Sequence, residues 1–449
     1  MILKDLRRLL GELSVQPSKS LGQNFLHDQN LAKWMVSMLE IAPGDHLVEL
    51  GPGLGALTEY LADFTNRLTL IEKDKRLADY LNVRFGERCH ILHNDAASID
   101  LRKLYGWGPI KIIGNLPYYM TSPILSLFLG KLSPAIRLIF TVQKELAQRL
   151  TAIPRTKDYG AMTVCIQRRW KIHILRTLPP TVFYPKPKVD SAVILVVPRE
   201  SAQIPVCNEV LFEQIVRLGF SQRRKQLRNL LGNKEGKIWE QFAHIKGFSS
   251  LARAEELSVN DYADLTTQLE PFPQTQESQA SHEIFDIVDS NDCVVGQADR
   301  QTIHKQSLIH RAVHILIQNG KGEWFLQKRS IWKDRNPGKW DSSAAGHLQA
   351  GENYESAAHR ELLEELGIDC EIRRIGRLEP SEVNGWEFIE IFYARHDGPF
   401  ILAPLEIDAG AFFEEAQIQR WIQNDPTAFS PVFLQLRRFL LATNEVGSW

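Results

Sequence analysis

The sequence has few cysteines and no long apolar segment. Its five cysteines are widely separated and none occurs in a CxxC pair, which favours reduced, buried thiols over a metal site. No run of about 18 apolar residues is present, which argues against a membrane span. The first ten residues, MILKDLRRLL, lack the apolar core and cleavage site of a secretory signal. A cytoplasmic location is therefore expected.

The length and charge distribution indicate more than one domain. At 449 residues the chain exceeds one ordinary hydrophobic core, so two or three domains are expected. The net charge of −1 conceals two oppositely charged parts. Residues 1–282 carry 36 Lys and Arg against 28 Asp and Glu, a net charge of +8, whereas residues 283–449 carry 17 against 26, a net charge of −9. The first part suits a polyanion, and the second suits metal ions.

Short apolar segments alternate with amphipathic ones between about residues 44 and 140. This βαβ pattern predicts a parallel sheet with helices on both faces. Residues 205–270 place apolar side chains three and four apart, which predicts a small helical domain. The Pro-, Gln- and Ser-rich segment EPFPQTQESQASHE is expected to be a flexible linker. The fold class is therefore multidomain α/β, with a Rossmann-like domain at 1–200, a helical domain at 201–270, a linker at 271–283 and a further domain at 284–449.

The segment LVELGPGLGALTEYL, residues 47–61, is typical of a strand, a glycine turn and a helix. Glycines such as Gly51 let the backbone approach a ligand closely. Alone, the motif fits either a tight βα turn or a dinucleotide site. The residues that follow decide between these interpretations. Glu72 ends the second strand, where it can accept both ribose hydroxyls, and Asp95 ends the third, where it can hold an adenine amino group.

The tetrapeptide Asn115-Leu116-Pro117-Tyr118 ends the fourth strand and is the predicted catalytic segment. An exocyclic adenine amine is a poor nucleophile because its lone pair is delocalised into the ring. Two acceptors, the Asn115 side-chain oxygen and the Leu116 carbonyl, would favour a pyramidal nitrogen whose lone pair points at a sulfonium methyl group. Pro117 fixes the turn, and Tyr118 offers an aromatic face to an unstacked base. Phe183 is either the opposite face of that base site or an ordinary core aromatic.

At these residues the chain resembles the ribosomal RNA adenine dimethyltransferases, specifically their small-subunit branch. Eight segments carry the resemblance over residues 15–270: LGQNFLHD, VELGPGLGALT, IEKD, NDA, GNLPYY, YGAMTV, FYPKPKVDSAV and GFSQRRKQLRNLL. The resemblance implies that S-adenosylmethionine is held by Asn24, Leu26, Gly51, Glu72, Asp95 and Asn115. It also implies that two adjacent adenosines near the 3′ end of 16S rRNA, in precursors of the small subunit, are each methylated twice. A related branch that dimethylates large-subunit rRNA and confers macrolide resistance is the alternative.

Basic residues are concentrated in two clusters of the first part. Residues 137–188 carry 11 Lys and Arg against only Glu145 and Asp158. The second cluster consists of Arg223, Arg224, Lys225 and Arg228. We predict that these clusters bind RNA phosphates in a salt-dependent manner, the alternative being a solvated basic surface.

Residues 346–368, GHLQAGENYESAAHRELLEELGI, contain a glutamate-rich helical pattern. Spacings of three and four put Glu361, Glu364 and Glu365 on one helix face. A hard divalent ion bound through oxygen would relieve their repulsion and suits Mg²⁺ bridging a diphosphate. The segment matches the Nudix signature in full, so the last part of the chain resembles the Nudix hydrolases, α/β/α domains that cleave diphosphates.

The Nudix resemblance implies roles for several residues. Arg360 and Glu352 would form a structural pair, Gly346 would contribute its carbonyl, and the three glutamates would bind Mg²⁺ or Mn²⁺ or activate water. The segments HRAVHILI, FLQKRS and GKWDSSAAGH resemble the isopentenyl-diphosphate isomerase branch, but Ala345 stands where that enzyme has its catalytic cysteine. Hydrolysis of a diphosphate-containing small molecule is therefore expected instead of isomerisation. The further candidate metal ligands are His347 and Glu387, together with His304 and His310, which can also be ordinary hydrogen-bonded residues.

Three functional classes fit these patterns to different degrees. The chain could be an enzyme with two activities, a methyltransferase with a non-catalytic Nudix-fold binding module, or a nucleic-acid-binding protein without catalysis. The complete Asn-Leu-Pro-Tyr segment disfavours the third class, and the complete glutamate set disfavours the second. We therefore predict a two-activity enzyme.

Overall fold

A computed structural model gives the structure of the chain and describes residues 3–17, 23–65, 67–200, 203–205, 207–270 and 283–443. Two compact units divide the chain, Met1–Phe272 and Pro273–Trp449. The predicted linker lies outside the described residues except for its last residue, Glu283. Across the described ranges, no helix is long and apolar enough to cross a membrane.

The first unit is built on a seven-stranded sheet with the order β4-β3-β2-β5-β6-β9-β7. Neighbouring strands from β4 to β6 run parallel, whereas β9 is antiparallel to both β6 and β7. Strands β1 and β8 form a separate antiparallel pair. The strands are β1 (Phe25–Leu26), β2 (His46–Leu50), β3 (Leu68–Glu72), β4 (His90–His93), β5 (Ile110–Asn115), β6 (Ala135–Gln143), β7 (Trp170–Leu178), β8 (Phe183–Tyr184) and β9 (Ser191–Pro198).

Helices cover both faces of this sheet, because its central strands are apolar on both sides. Ile112 of β5 packs in one core with the helices α5 and α6, and the next residue, Ile113, packs in another with α2 and α4. The helices of the first unit are α1 (Leu3–Glu12), α2 (Gln29–Ser37), α3 (Thr58–Leu61), α4 (Lys75–Phe85), α5 (Thr121–Phe128), α6 (Lys144–Leu150), α7 (Ala161–Arg169), α8 (Glu209–Phe220), α9 (Leu227–Leu231), α10 (Asn233–Lys246) and α11 (Val259–Leu269).

Helices α8 to α11 form a cluster with its own core. Trp239, Phe242 and Tyr262 are fully buried there. The same core includes Tyr159, which lies just before α7, and Val164, which belongs to α7. The helical cluster is therefore continuous with the sheet domain through α7. Its separation into domains 1–200 and 201–270 remains our proposal.

The second unit contains a seven-stranded mixed sheet and a two-stranded ribbon. The order of neighbouring strands in the sheet is β14-β13-β12-β17-β16. In addition, β15 pairs with β12, and β18 pairs with β13. Among the strand pairs of this sheet within the described residues, only β12 with β17 is parallel. The strands are β10 (Ile284–Val288), β11 (Val294–Asp299), β12 (His310–Gln318), β13 (Trp324–Arg329), β14 (Trp340–Asp341), β15 (Ala344–His347), β16 (Ile372–Leu378), β17 (Glu387–Arg395) and β18 (Ile407–Phe413).

One helix of the second unit carries the predicted glutamates. The helices are α12 (Arg300–Gln306), α13 (Tyr354–Leu366), α14 (Glu415–Asn424) and α15 (Pro431–Thr443). The Asn353 side chain caps α13 by accepting from the Ser356 amide at 2.9 Å, and Gly367 ends it in the left-handed conformation. Leu362 and Leu366 pack on β12, which leaves the glutamates near β15. The multidomain α/β fold predicted from the sequence is confirmed.

Candidate functional sites

The first site is a cleft of about 990 Å³ at the carboxyl ends of β2, β3 and β5. Parallel strands end at one edge of a sheet, so residues from distant segments meet there. Eight residues predicted for cofactor binding or catalysis line this cleft: Asn24, Leu26, Gly51, Glu72, Asp95, Asn115, Leu116 and Pro117.

The glycine turn between β2 and α3 is held in a conformation that favours glycine. Gly51, Gly53 and Gly55 all have left-handed backbones, with φ of 63°, 59° and 83°. The Gly53 amide donates to the Glu72 carboxylate at 3.1 Å. A Cβ at Gly53 would also lie 3.0 Å from the Phe25 ring. The turn is therefore fixed both by its backbone and by the carboxylate that ends the next strand.

The two predicted ligand carboxylates differ in their surroundings. Glu72 is buried, which raises its pKa, although the amides of Gly53 and Asp74 donate to it. Asp95 is more accessible. Burial alone would raise the pKa of Asp95, but the Lys73 ammonium at 2.7 Å and the Ala97 amide lower it below its usual value. Asp95 is therefore held as a charged acceptor, and Lys73 is a residue that the sequence did not single out.

Asn115 is oriented by a distant part of the chain. Its side-chain nitrogen donates to the Asn24 backbone carbonyl at 2.6 Å. This bond directs the side-chain oxygen away from Asn24. The Leu116 amide donates to the Thr141 carbonyl at 3.2 Å, which attaches the catalytic segment to β6.

The two predicted stacking aromatics do not line the cleft. Tyr118 is half-buried and its hydroxyl is hydrogen-bonded to Ser191. Phe183 is only 1% exposed and packs in the hydrophobic core beside Leu26. The stacking role predicted for Phe183 is therefore not supported by its position, because core packing buries its ring. Tyr119, 49% exposed, lines the cleft instead.

Two further cleft residues were missed by the sequence interpretation. Glu49 is fully buried in β2, and burial raises its pKa to about 8 despite a hydrogen bond from the Thr58 hydroxyl. A carboxylate within the apolar strand HLVEL was the available signal. Leu6 of α1 also lines the cleft and packs with Leu54 and Leu77, which belong to the glycine turn and α4.

The second basic cluster is only partly available to an anion. Arg223 donates to Glu255 at 3.1 Å, and Arg228 pairs with Glu240 at 2.7 Å. Arg224 and Lys225 are exposed and form no ion pair with other described residues.

The second site is a polar pocket of about 1100 Å³ in the second unit. All six predicted metal-binding residues line it: Gly346, His347, Glu361, Glu364, Glu365 and Glu387. Glu361 and Glu365 are buried, whereas Glu364 is exposed. Burial and their mutual repulsion raise the pKa of Glu361, and burial raises the pKa of Glu365.

Arg360 and Gly346 hold the glutamates in place. Arg360 makes a two-point contact with Glu352 at 3.0 Å and reaches Glu361 at 2.7 Å. A Cβ at Gly346 would lie 1.9 Å from the Glu361 carboxylate. Only glycine therefore lets Glu361 approach the β15 backbone this closely.

Three histidines meet beside Glu387. The ring nitrogens of His304, His310 and His347 that face one another all lie within 4.8 Å. His347 contacts the Glu387 carboxylate at 3.2 Å, and His310 lies 3.6 Å from the same oxygen. The Nε2 atoms of His304 and His310 are buried and have no hydrogen-bond partner among the described residues. Such unpartnered nitrogens beside a carboxylate fit a metal ion.

The carboxylates and cations of the pocket face a common space. Arg300, Arg329, Lys333 and Arg335 line it together with the glutamates. Lys333 pairs with Glu406, and burial lowers its pKa. Acidic and basic side chains around one opening suit a metal-bound anion.

Comparisons with known proteins match each of the two units to a family. The family model described as ribosomal RNA adenine dimethylase matches residues 15–270, and the one described as NUDIX domain matches residues 308–430. Ribosomal RNA small subunit methyltransferase A of Prosthecochloris aestuarii is 38% identical over 253 residues, which are 56% of this chain and 94% of that protein.

Two solved structures are similar to single parts of the chain. The 23S rRNA methyltransferase ErmE is 25% identical, with a TM-score of 0.46, and the match covers 55% of this chain and 100% of ErmE. DR0079 from Deinococcus radiodurans is 27% identical, with a TM-score of 0.31, over 35% of this chain and 98% of its own. On the strength of the family matches, the chain belongs to the ribosomal RNA adenine dimethylases and carries a NUDIX domain after the methyltransferase unit.

Proposed function

We propose that the first unit transfers two methyl groups to N6 of each of two adjacent adenosines near the 3′ end of 16S rRNA, in precursors of the small ribosomal subunit. The observation that carries this proposal is the cleft where Asn115 and Leu116 meet Glu72 and Asp95. The printed name of the Prosthecochloris relative supports the small subunit over the large one. Such a substrate would place the reaction in the cytoplasm.

The residues of the cleft would hold the adenosine part of S-adenosylmethionine and place its methyl group against the target adenosine of the RNA. S-adenosylmethionine supplies an electrophilic methyl group when bound. Glu72 would accept hydrogen bonds from the ribose hydroxyls, and Asp95 would accept one from the adenine amino group. Asn24, Leu26 and Gly51 would complete the cofactor contacts. The cleft supplies the buried acceptors that such a ligand requires.

The catalytic segment would activate the target amine through acceptors. The bond from Asn115 to Asn24 points the Asn115 oxygen away from that carbonyl and leaves it to accept from the target amine. The Leu116 carbonyl would accept the second hydrogen, so that the nitrogen lone pair faces the methyl donor. Pro117 would fix the turn, and Tyr118, which follows it outside the lining of the cofactor cleft, would contact the base there. Arg223, Arg224, Lys225 and Arg228 would bind RNA phosphates.

Methyl transfer to ribosomal subunits tests this proposal. Purified protein and labelled S-adenosylmethionine are mixed with small subunits that lack the modification, and the methyl groups are mapped. We expect two groups on each of two adjacent adenosines, lost in Asn115→Ala and retained in the exposed control Asn82→Ala. Transfer only to large-subunit RNA would instead favour the macrolide-resistance activity, and no transfer at all would contradict the proposal.

We further propose that the NUDIX domain is a metal-dependent hydrolase of a diphosphate-containing small molecule. The observation that carries this is the pocket in which Glu361, Glu364 and Glu365 face Arg and Lys side chains. A divalent cation, Mg²⁺ or Mn²⁺, would supply the positive charge that polarises the phosphorus–oxygen bonds. The three glutamates and the Gly346 carbonyl would hold it.

A second group of metal ligands is proposed at His347 and Glu387. The unpartnered nitrogens of His304 and His310 extend this set. Burial opposes the ionisation of Glu387, but contacts with His310 and His347 hold its pKa well below the usual value. Ala345, whose amide donates to Glu365 at 3.1 Å, supplies no thiol at the position of the isomerase cysteine, so hydrolysis is favoured over isomerisation.

Turnover assays on the full chain test the hydrolase proposal. The protein is incubated with Mg²⁺ and a panel of nucleoside and isoprenyl diphosphates, and released phosphate is measured. We expect turnover of at least one compound, lost in Glu364→Gln and retained in Asn115→Ala. No turnover of any compound would favour a non-catalytic binding module, and turnover that survives Glu364→Gln would exclude this site as its source.

A further inference from the structure

Besides Arg360, which is paired with Glu352 and Glu361, four cations line the NUDIX pocket and differ in how fully they are neutralised. Arg300 donates to both oxygens of Asp334 at 3.3 Å, and Arg329 pairs with Asp341 at 3.3 Å. Lys333 pairs with Glu406. These three cations are therefore used to hold the walls of the pocket.

Arg335 is the exception among these four. Its side chain is 44% exposed, and its closest acidic contact is the Glu387 carboxylate at 3.7 Å, which is too long for a hydrogen bond. Among the described residues its guanidinium has no hydrogen-bond acceptor. It therefore projects into the pocket with its donors available.

The surroundings of Arg335 fix its backbone and leave room for its side chain. Its amide donates to the Asp334 carboxylate at 2.8 Å, and its carbonyl accepts from Arg329 at 3.2 Å. Gly385 lies against the side chain, because a Cβ there would come within 2.4 Å of the Arg335 guanidinium. Glycine at this position, with φ of 79°, thus provides the space that the guanidinium occupies.

We propose that Arg335 binds the diphosphate of the NUDIX substrate directly through its guanidinium, beside Glu387. This inference rests on the proposed hydrolase function. A diphosphate carries more negative charge than a bound divalent cation can balance, because the carboxylates that hold the cation already neutralise part of its charge. A planar guanidinium can donate two parallel hydrogen bonds to phosphate oxygens, which gives both charge and orientation. Arg335 is thus a substrate-binding residue, whereas Arg300, Arg329 and Lys333 position the pocket.

Equilibrium binding of a non-hydrolysable probe tests this proposal. Methylenediphosphonate with Mg²⁺ is titrated calorimetrically into the full chain and into Arg335→Ala, Arg335→Lys and Arg438→Ala. Arg438 is an exposed arginine of α15 and serves as the matched control. We expect Arg335→Ala to weaken binding at least tenfold, Arg335→Lys to recover part of the loss, and Arg438→Ala to leave the Kd unchanged. A thermal unfolding profile equal to that of wild type reports that the second unit of each variant is folded.

The outcomes separate this inference from the hydrolase proposal. Binding that is equally tight in wild type and Arg335→Ala would overturn the role of Arg335 and leave the hydrolase proposal standing. No Mg²⁺-dependent binding to the wild-type chain would overturn both. An equal loss in Arg335→Ala and Arg438→Ala would show a general charge effect and would also overturn the proposal.

Discussion

The Asn115 side-chain nitrogen lies 2.6 Å from the Asn24 backbone carbonyl, to which it donates. The bond joins the end of β5 to the segment before β1, which is 91 residues earlier in the chain. Because an amide has its donor and acceptor on opposite sides, this contact determines where the Asn115 oxygen points. The cofactor segment and the catalytic segment are thereby fixed relative to each other.

Replacement of Asn115 by Asp should abolish this orientation. A carboxylate cannot donate to the Asn24 carbonyl and would be repelled by it at the same distance. We expect the rate of methyl transfer to fall by about 100-fold or more, which is typical of losing one preorganised polar contact. Single-turnover methylation of small subunits measures the rate, with the exposed Asn82→Asp as control. A wild-type rate in Asn115→Asp would contradict the proposed role of this contact.

Glu49 should make the stability of the methyltransferase unit depend on pH. Burial raises its pKa from 4.5 to about 8, so the folded chain retains a proton that the unfolded chain releases. The free energy of unfolding should therefore fall as the pH rises from 4.5 to about 8. The fall should be about 1.4 kcal/mol for each pH unit, or up to a few kcal/mol in total.

Glu49→Gln should remove this pH dependence, because an amide keeps an acceptor for Thr58 but does not titrate. The measurement is the unfolding transition of the methyltransferase unit at acidic and at mildly alkaline pH. This transition is identified as the one that shifts when S-adenosylmethionine is added. The exposed Glu87→Gln serves as control and should keep the wild-type dependence. If Glu49→Gln retained the same pH dependence as wild type, Glu49 would not be its source.

Gly346→Ala should inactivate the NUDIX domain alone. The added Cβ would meet the Glu361 carboxylate at 1.9 Å, so the carboxylate must move from its place. We expect diphosphate turnover to fall at least about 100-fold, as for other misplaced catalytic groups, with methyl transfer unchanged. Gly296→Ala is the matched control, because its Cβ would make only an ordinary contact of 3.6 Å with Ile287. Normal turnover by Gly346→Ala would refute the proposed position of Glu361.

Arg224 and Lys225 should contribute more to RNA binding than Arg228. Each free cation that contacts a phosphate should add about 1 to the slope of log affinity against log salt. Arg228 is already paired with Glu240 at 2.7 Å and should add less. Affinity for small-subunit RNA over a series of salt concentrations measures the slopes of Arg224→Ala, Lys225→Ala and Arg228→Ala. Equal slopes for all three variants would argue against this ranking.

The amino-acid sequence by itself determined the order of the elements and predicted the chemistry of both sites. The alternation of apolar and amphipathic segments predicted the βαβ series, and parallel strands then require their carboxyl ends to meet at one edge. Glu72 and Asp95 could be placed at the cleft for this reason. The spacing of Glu361, Glu364 and Glu365 determined their common helix face, because helical geometry is local. The pattern was less accurate after the glycine turn, where the segment ALTEYLADF forms only a four-residue helix and Phe64 is exposed.

Only the tertiary structure decided which distant side chains touch. Phe183 fits a stacking motif in sequence but is buried in the core, and Glu49 fits an apolar strand but lines the cleft. The contact of Asn115 with Asn24 and the 3.7 Å separation of Arg335 from Glu387 likewise depend on packing between segments far apart in the chain. Periodicity reports which way a residue faces within its own helix or strand. Burial, ion pairing and pKa depend on what the neighbouring elements bring to that face, and this is set when the elements pack.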